Sequence, residues 1–181
     1  MDIYHLRVLS IDPGSENLGY TFSEVSLINK EFVVVESDTI NVDKVCGLQA
    51  DFDMPTLQLL YQHLPKVIID LLEHYSPDVV ICEAPYMGRF PHAYAILVMC
   101  TQVIQNTVQD YDFTMQFTLV EPSTVKKRVG VKGNDGRKES VKEALPLIKT
   151  ITLPKNYDTL DEHAIDSIAI GYSEFFDIIG K

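Results

Sequence analysis

Leu9-Ser10-Ile11-Asp12-Pro13-Gly14-Ser15-Glu16-Asn17-Leu18-Gly19-Tyr20 is the stretch that decides how the rest of the chain is read. A mostly apolar run, Leu6 to Ile11, delivers one aspartate at its end; a Pro-Gly pair turns the chain, and a second strand-like run, Leu18 to Phe22, comes straight back. Pro presets φ at the second position of a turn and Gly tolerates a positive φ at the third. The stretch therefore predicts a β-hairpin with Asp12 fixed at its closed end. A carboxylate held on rigid backbone is well placed to ligate a metal. An isolated Asp-Pro-Gly can equally do no more than open a turn, so the company Asp12 keeps decides its role.

Working outward, Ser23 to Ile28 and Glu31 to Ile40 flank Asn29-Lys30 and are rich in Val, Phe and Ile, which predicts a third antiparallel strand. Asn41 to Met54 reads as a loop. Asp53 is placed to cap a helix with Pro55 in its first turn, and Leu60, Leu64, Val67 or Ile68, and Leu71 or Leu72 recur at helical spacing; Pro65 should kink or split that helix. After Ser76-Pro77-Asp78, the short apolar run Val79-Val80-Ile81-Cys82 has the character of a buried strand and delivers Glu83 at its end. His92 to Gln109 is helical, with an apolar surface wider than one core face needs, so it is either deeply buried or lends its second face to a partner subunit. Phe113, Met115, Phe117 and Leu119 alternate with polar residues as in a half-buried strand. Short helices at Pro122 to Val129 and Arg137 to Leu145 surround a loop containing Asn134-Asp135-Gly136, and a last helix runs from about Leu160 to Ile179. Three antiparallel strands followed by alternating helices and strands predict an α/β fold, a mixed sheet covered by helices. With 181 residues, no linker and no internal repeat, one domain spanning 1–181 is expected.

The last helix supplies a third acid. Asp166 sits beside the core stripe Ile165, Ala169, Tyr172, Phe176 and Ile179, and Glu162 and His163 flank it on the helical wheel. Thr159-Leu160-Asp161-Glu162 matches a capping box, which gives Glu162 a structural task and favours His163 as the fourth ligand, with Glu162 remaining the alternative. Asp12, Glu83 and Asp166 offer hard oxygens, suited to Mg²⁺ or Mn²⁺. Two such ions can stabilise the entering and leaving oxygens of phosphoryl transfer.

Net charge is −11, yet between Val125 and Lys142 seven positive residues face two negative ones, a local excess of +5 that leaves −16 on the rest. Such a chain can hold a polyanion by one segment and repel it elsewhere; a solvated helical face is the plainer explanation of the same charges. Cys46, Cys82 and Cys100 form no C-x-x-C pair and are expected to be reduced and packed. No apolar run approaches the length of a membrane span, and the N-terminus carries Asp2 and His5 with no basic-then-apolar signal pattern, so a cytoplasmic protein is expected.

These motifs, in order, resemble those of the RuvC family of Holliday-junction resolvases, within the RNase H-like superfamily. Ile11-Asp12-Pro13-Gly14-Ser15 with Gly19-Tyr20 is similar to the family's opening motif, Ile81 to Tyr86 to its second acid with an aromatic three residues on, Pro122 through Leu145 to its basic region, and His163-Ala164-Ile165-Asp166-Ser167-Ile168-Ala169 to its closing helix. The resemblance implies an RNase H-like mixed sheet and a homodimer acting on four-way or branched DNA. Metal-dependent paired nicks would leave 5′-phosphate and 3′-hydroxyl ends. It implies Asp12, Glu83, His163 and Asp166 as catalytic and metal-binding residues, with two Mg²⁺ or Mn²⁺ ions. Tyr86 would stack at the crossover, and Lys126, Lys127, Arg128, Arg137 and Lys138 would contact phosphates. The sequence departs from the common pattern at His163, where many relatives carry Asp, at Tyr86, where Phe is usual, and in its acidity; these would suit a divergent, phage-type member in a bacterial cytoplasm. Three other readings compete: a general flap or branched-DNA endonuclease of the same fold, a non-catalytic junction-binding protein, and an actin-like phosphotransferase. The last of these would need a longer chain with a second phosphate loop.

Overall fold

A computed structural model describes residues 5–42, 60–88, 90–131 and 139–179. The predicted hairpin forms from β1 (His5–Asp12) and β2 (Asn17–Ser26), whose register pairs Ile11 with Tyr20 and Asp12 with Gly19. Gly14 does not take the positive φ expected of it. Its lack of a side chain matters for another reason, because a Cβ there would run into the Asn17 carbonyl as the chain doubles back.

β3 (Glu31–Asn41) completes the antiparallel meander, with a register shift that leaves Val35 unpaired between Ser23–Val34 and Phe22–Glu36. Helical residues 60–62 end at His63, and α1 (Leu64–Tyr75) begins there with Pro65 in its first turn. Pro65 thus splits the helix, since a proline ring fits the first turn and clashes in an interior one. The expected cap at Asp53 lies outside the described residues. Leu64, Val67, Ile68, Leu71 and Leu72 form the buried stripe of α1. Ser76 stops the helix in the left-handed conformation, its N–H donating to the Leu72 carbonyl.

β4 (Val79–Glu83) pairs parallel with β1, and after α2 (Pro91–Tyr111) β5 (Gln116–Val120) pairs parallel with β4. β5 starts later than the alternation predicts. Asp112 accepts from the Thr114 N–H and hydroxyl and its carbonyl from the Met115 N–H, and this turn leaves Phe113 88% exposed. α3 (Pro122–Arg128) and α4 (Ser140–Ala144) follow, the second giving way to a 3₁₀ turn at Pro146. A two-residue strand, β6 (Ile151–Thr152), which the sequence pattern did not reveal, adds parallel to β3 before α5 (Glu162–Ile179). The sheet order is β5-β4-β1-β2-β3-β6, the expected mixed sheet.

Strand alternation gives the sheet two buried faces. Val8, Ile81, Val25 and Phe32 pack beneath α5, while Leu9, Ile11, Leu18, Val80 and Cys82 pack against α1 and α2. Among the described residues no helix is long and apolar enough to cross a membrane.

Arg7 ties the far end of β1 to the start of β4. Its backbone N–H, Nε and Nη2 all donate to the Asp78 carboxylate, at 2.8, 3.3 and 3.0 Å. Burial pushes the Asp78 carboxyl up, but the Arg7 hydrogen bonds and charge outweigh it and hold the group below the usual value. A carboxylate depressed in the folded state stabilises above its unfolded pKa, and that stabilisation is lost as pH falls through the folded one. Asp78→Ala is therefore expected to cost about 1–2 kcal/mol at pH 7, since Arg7 is part-exposed. In urea melts the gap from wild type should close below about pH 4; a gap independent of pH would assign the loss to packing.

Candidate active site at the carboxyl end of the sheet

Asp12 ends β1 and Glu83 ends β4, and because Ile11 pairs with Cys82 the two acids are the next residues along on neighbouring strands. Alternation turns both toward α5: Ser10 on β1 reaches Ser167 of α5, and Ile81 on β4 lies in the core beneath that helix. From above, α5 brings His163 and Asp166 in its first turns. His163 Nδ1 stands 2.8 Å from Asp12 Oδ2. Four residues separated by up to 154 positions in the chain thus share one end of the sheet.

Electrostatics ties the acids together. Burial pushes the Glu83 carboxyl up to about 8, with Asp12 and Asp166 adding to the rise and Lys126 opposing it. Asp166 is pushed up to about 6 by burial and then by Asp12, while His163 and Lys126 pull it down. Asp12 is raised by burial against the pull of its hydrogen bond to His163. That same bond raises the His163 imidazole above its ordinary value, despite partial burial. Such a cluster is short of positive charge, which is what a divalent cation brings.

The donor set fits a hard cation in chemistry and in charge. Behind it the Cys82 thiol is fully buried and pushed well up by burial, with Asp12 and Glu83 adding to the rise, so it stays protonated and contributes no soft ligand. The acids do not stand as a closed cage: among the described residues no three His, Cys, Asp or Glu side chains are arranged to hold an ion, and Asp12 is turned to His163.

The capping box predicted for α5 is displaced by two residues. Asp161 is the cap: its Oδ1 accepts from the Ala164 N–H at 3.0 Å and its carbonyl from the Ile165 N–H, while the Thr159 hydroxyl donates back to Asn156. The extended Leu160 that follows the Tyr157–Thr159 turn sets this boundary. Glu162, exposed in the first turn, still adds its charge to Asp12 and Asp166.

The other site residues divide. Tyr86, in the loop after β4, is 67% exposed beside Met87 and Phe90, and not in the core. Lys127 is exposed on α3, and Lys126 is the cation whose charge reaches Glu83 and Asp166. Arg128 is committed to α5, donating to the Ser173 carbonyl at 2.7 Å and to Asp177 at 2.8 Å. Arg137 and Lys138 lie outside the described residues.

The sequence reading missed the contacts that seat α5. Ser10, Thr21 and Ser37, one from each strand of the meander, are buried and hydrogen-bonded to Ala164 or Ser167, and Thr39 donates to Asp161. Hydroxyls at strand positions where a core face would be apolar were the available signal.

No family model matches the chain. Among curated proteins it is similar to one from Dehalococcoides mccartyi named crossover junction endodeoxyribonuclease RuvC, 25% identical over 177 residues, covering 97% of this chain and 98% of the relative. A protein of the same name from Christiangramia forsetii is 22% identical over 156 residues, 85% of this chain and 73% of the relative. Among solved structures, Thermus thermophilus RuvC in complex with Holliday junction substrate superposes with a TM-score of 0.68 at 15% identity, over 97% of both chains. The yeast mitochondrial Holliday junction resolvase Ydc2 gives 0.70 at 17% identity, over 97% of this chain and 80% of that one. The resemblance to the RuvC family carried by the motifs thus extends over nearly the whole chain, and the fold is the one those resolvases share.

Proposed function

We propose that this protein is a metal-dependent endonuclease that resolves four-way DNA junctions by paired symmetric nicks, leaving 5′-phosphate and 3′-hydroxyl ends. The observation that carries the reading is the meeting of Asp12, Glu83, His163 and Asp166 at one end of a sheet whose fold and sequence relatives are resolvases. Buried acids that raise one another's pKa destabilise a fold, and a function that recruits cations accounts for them.

Asp12, Glu83 and Asp166 would hold the metal. When bound, Mg²⁺ or Mn²⁺, as two ions by the family resemblance, supplies charge that stabilises the entering and leaving oxygens of an in-line displacement at phosphorus. His163 orients the Asp12 carboxylate through Nδ1 and keeps Nε2 for a water or a ligand bond. Lys126 would meet a phosphate at the edge of the acid cluster, and Lys127 would hold the duplex from the outer face of α3. Tyr86, with its ring already in solvent, would stack on a base exposed at the crossover, a contact worth roughly 1–3 kcal/mol. A two-fold dimer would let each subunit nick one of two like strands. Its candidate interface is the amino-terminal half of α2, where Val98 stays 38% exposed and Phe90 at the helix cap 74%.

The test is to incubate the protein with mobile and immobile four-way junctions in Mg²⁺ or Mn²⁺ and map the cuts to the nucleotide. Paired, religatable nicks support the reading. A preference for flaps or single strands would overturn junction resolution while keeping the nuclease, and metal-dependent binding without cutting would place the protein among non-catalytic junction binders. Lys127→Ala is expected to weaken binding uniformly and to flatten the log–log salt dependence by about one unit; an unchanged slope would make Lys127 a bystander on a solvated face.

A further inference from the structure

α5 carries His163 and Asp166, while Asp12 and Glu83 stand on the sheet, so the site is assembled only if the helix lies on the sheet in one register. Apolar packing is non-directional and does not by itself select one placement. At this interface, however, a closed set of hydroxyls runs between the layers. Thr21 Oγ lies 2.6 Å from Ser167 Oγ and 2.9 Å from Ser37 Oγ, and Ser37 donates to the Ala164 carbonyl at 3.0 Å. Ser10 donates to the Ser167 carbonyl at 2.8 Å. Ser167 Oγ also lies 2.7 Å from the Ala164 carbonyl of its own helix, which competes with Thr21 for its proton. With that proton turned to Thr21, one assignment uses each hydroxyl once: Ser167 to Thr21, Thr21 to Ser37, Ser37 to Ala164 O, and Ser10 to Ser167 O. The relay leaves α5 at Ser167 and returns to it three residues earlier, at the residues next to Asp166 and His163. All four hydroxyl residues are 4% exposed or less.

We propose that Ser10, Thr21, Ser37 and Ser167 are positioning residues that set the register of α5 on the sheet, and so the distance of His163 and Asp166 from Asp12 and Glu83. The proposal rests on the nuclease reading of the acid cluster. Exchanging a buried hydrogen-bonded set for apolar groups of the same shape is close to neutral for stability, so stability alone does not account for four hydroxyls in the middle of a core face. What hydrogen bonds add is direction, with a sharp preference in distance and angle. The glycines on either side are consistent with a tight seat: a Cβ at Gly19 would strike the His163 carbonyl, and one at Gly171 would come 2.6 Å from Ser10 Oγ.

The test compares Thr21→Val, which keeps the shape and removes the relay, with Thr21→Ser, which keeps the hydroxyl, and with a fourfold variant, Ser10→Ala, Thr21→Val, Ser37→Ala and Ser167→Ala, which removes every hydroxyl of the relay together. In Mn²⁺ on a four-way junction, Thr21→Val and the fourfold variant are expected to lose about tenfold or more in kcat, as misplaced reacting groups do. KM should stay within about twofold, and Thr21→Ser should retain the wild-type rate. A crystal structure of the fourfold variant is expected to show α5 displaced and the His163–Asp12 contact broken. Full kcat in the variants, or an α5 that has not moved, would overturn the proposal. Wild-type protein that cuts no branched DNA would defeat the functional reading alone, and the crystal structure of the variant would still decide the positioning.

Discussion

Asp12→Asn is expected to lower junction cleavage by about 10³-fold, the order lost when a group that stabilises transition-state charge is removed, while junction binding stays intact or tightens. The asparagine keeps size and shape but removes the anion at the centre of the cluster. Asp12 adds to the upward push on both Glu83 and Asp166, so its loss also brings those two carboxyls down toward ordinary values. Binding is spared because one negative charge facing the phosphates has gone. Burst kinetics on a labelled junction, beside a gel-shift titration, measures both quantities. A variant that cuts at the wild-type rate would remove Asp12 from the chemistry, and one that neither binds nor cuts would point to lost folding.

The second large effect is expected from Gly19→Ala. Gly19 pairs with Asp12 across the hairpin and faces α5, where a methyl group would enter the space of the His163 carbonyl and backbone carbon. Neither neighbour is a flexible side-chain tip, so helix and sheet must part. Overpacking of this kind costs about 1–3 kcal/mol and occasionally more. Because the group pushed is His163 itself, cleavage should fall further than the stability loss explains. Thermal melting and single-turnover rates separate the two, with Gly88→Ala, where a Cβ meets nothing within 4 Å, as the control expected to leave the melting temperature unchanged. An unperturbed Gly19→Ala would mean that α5 is not seated as described.

The elements that carry acids were the legible ones. A turn with defined chemistry after Ile11 and a short apolar run before Glu83 are local signals, and each places its carboxylate at a strand end without reference to the rest of the chain. His163 and Asp166 were legible through helical spacing. The cap of α5 was misplaced because Thr159 and Asp161 are both good cap residues, and what distinguishes them is the Tyr157–Thr159 turn, which takes up the Thr159 hydroxyl, together with the tertiary contact from Thr39 to Asp161. β6 escaped notice because two residues carry no periodicity, and its pairing depends on β3, more than a hundred positions away. The hydroxyls beneath α5 stand out in the sequence as polar residues on a core face, but their partners were hidden for the same reason: a serine in a strand shows what it touches only once the opposite layer is in place. Phe113 followed the alternation of a strand but lies in a turn made by Asp112, a local hydrogen bond overriding a pattern of hydrophobicity.

Arg128, in the basic stretch, ties α3 to the carboxyl-terminal half of α5 through Ser173 and Asp177. On the proposed roles, grip and blade would therefore be mounted on one bracket. A duplex held at Lys127 would be located with respect to Asp166 through α3 and α5, by a linkage that does not run through the sheet. The spacing between the phosphate that is held and the phosphate that is cut would then be a constant of the protein, like the offset of a punch from its guide.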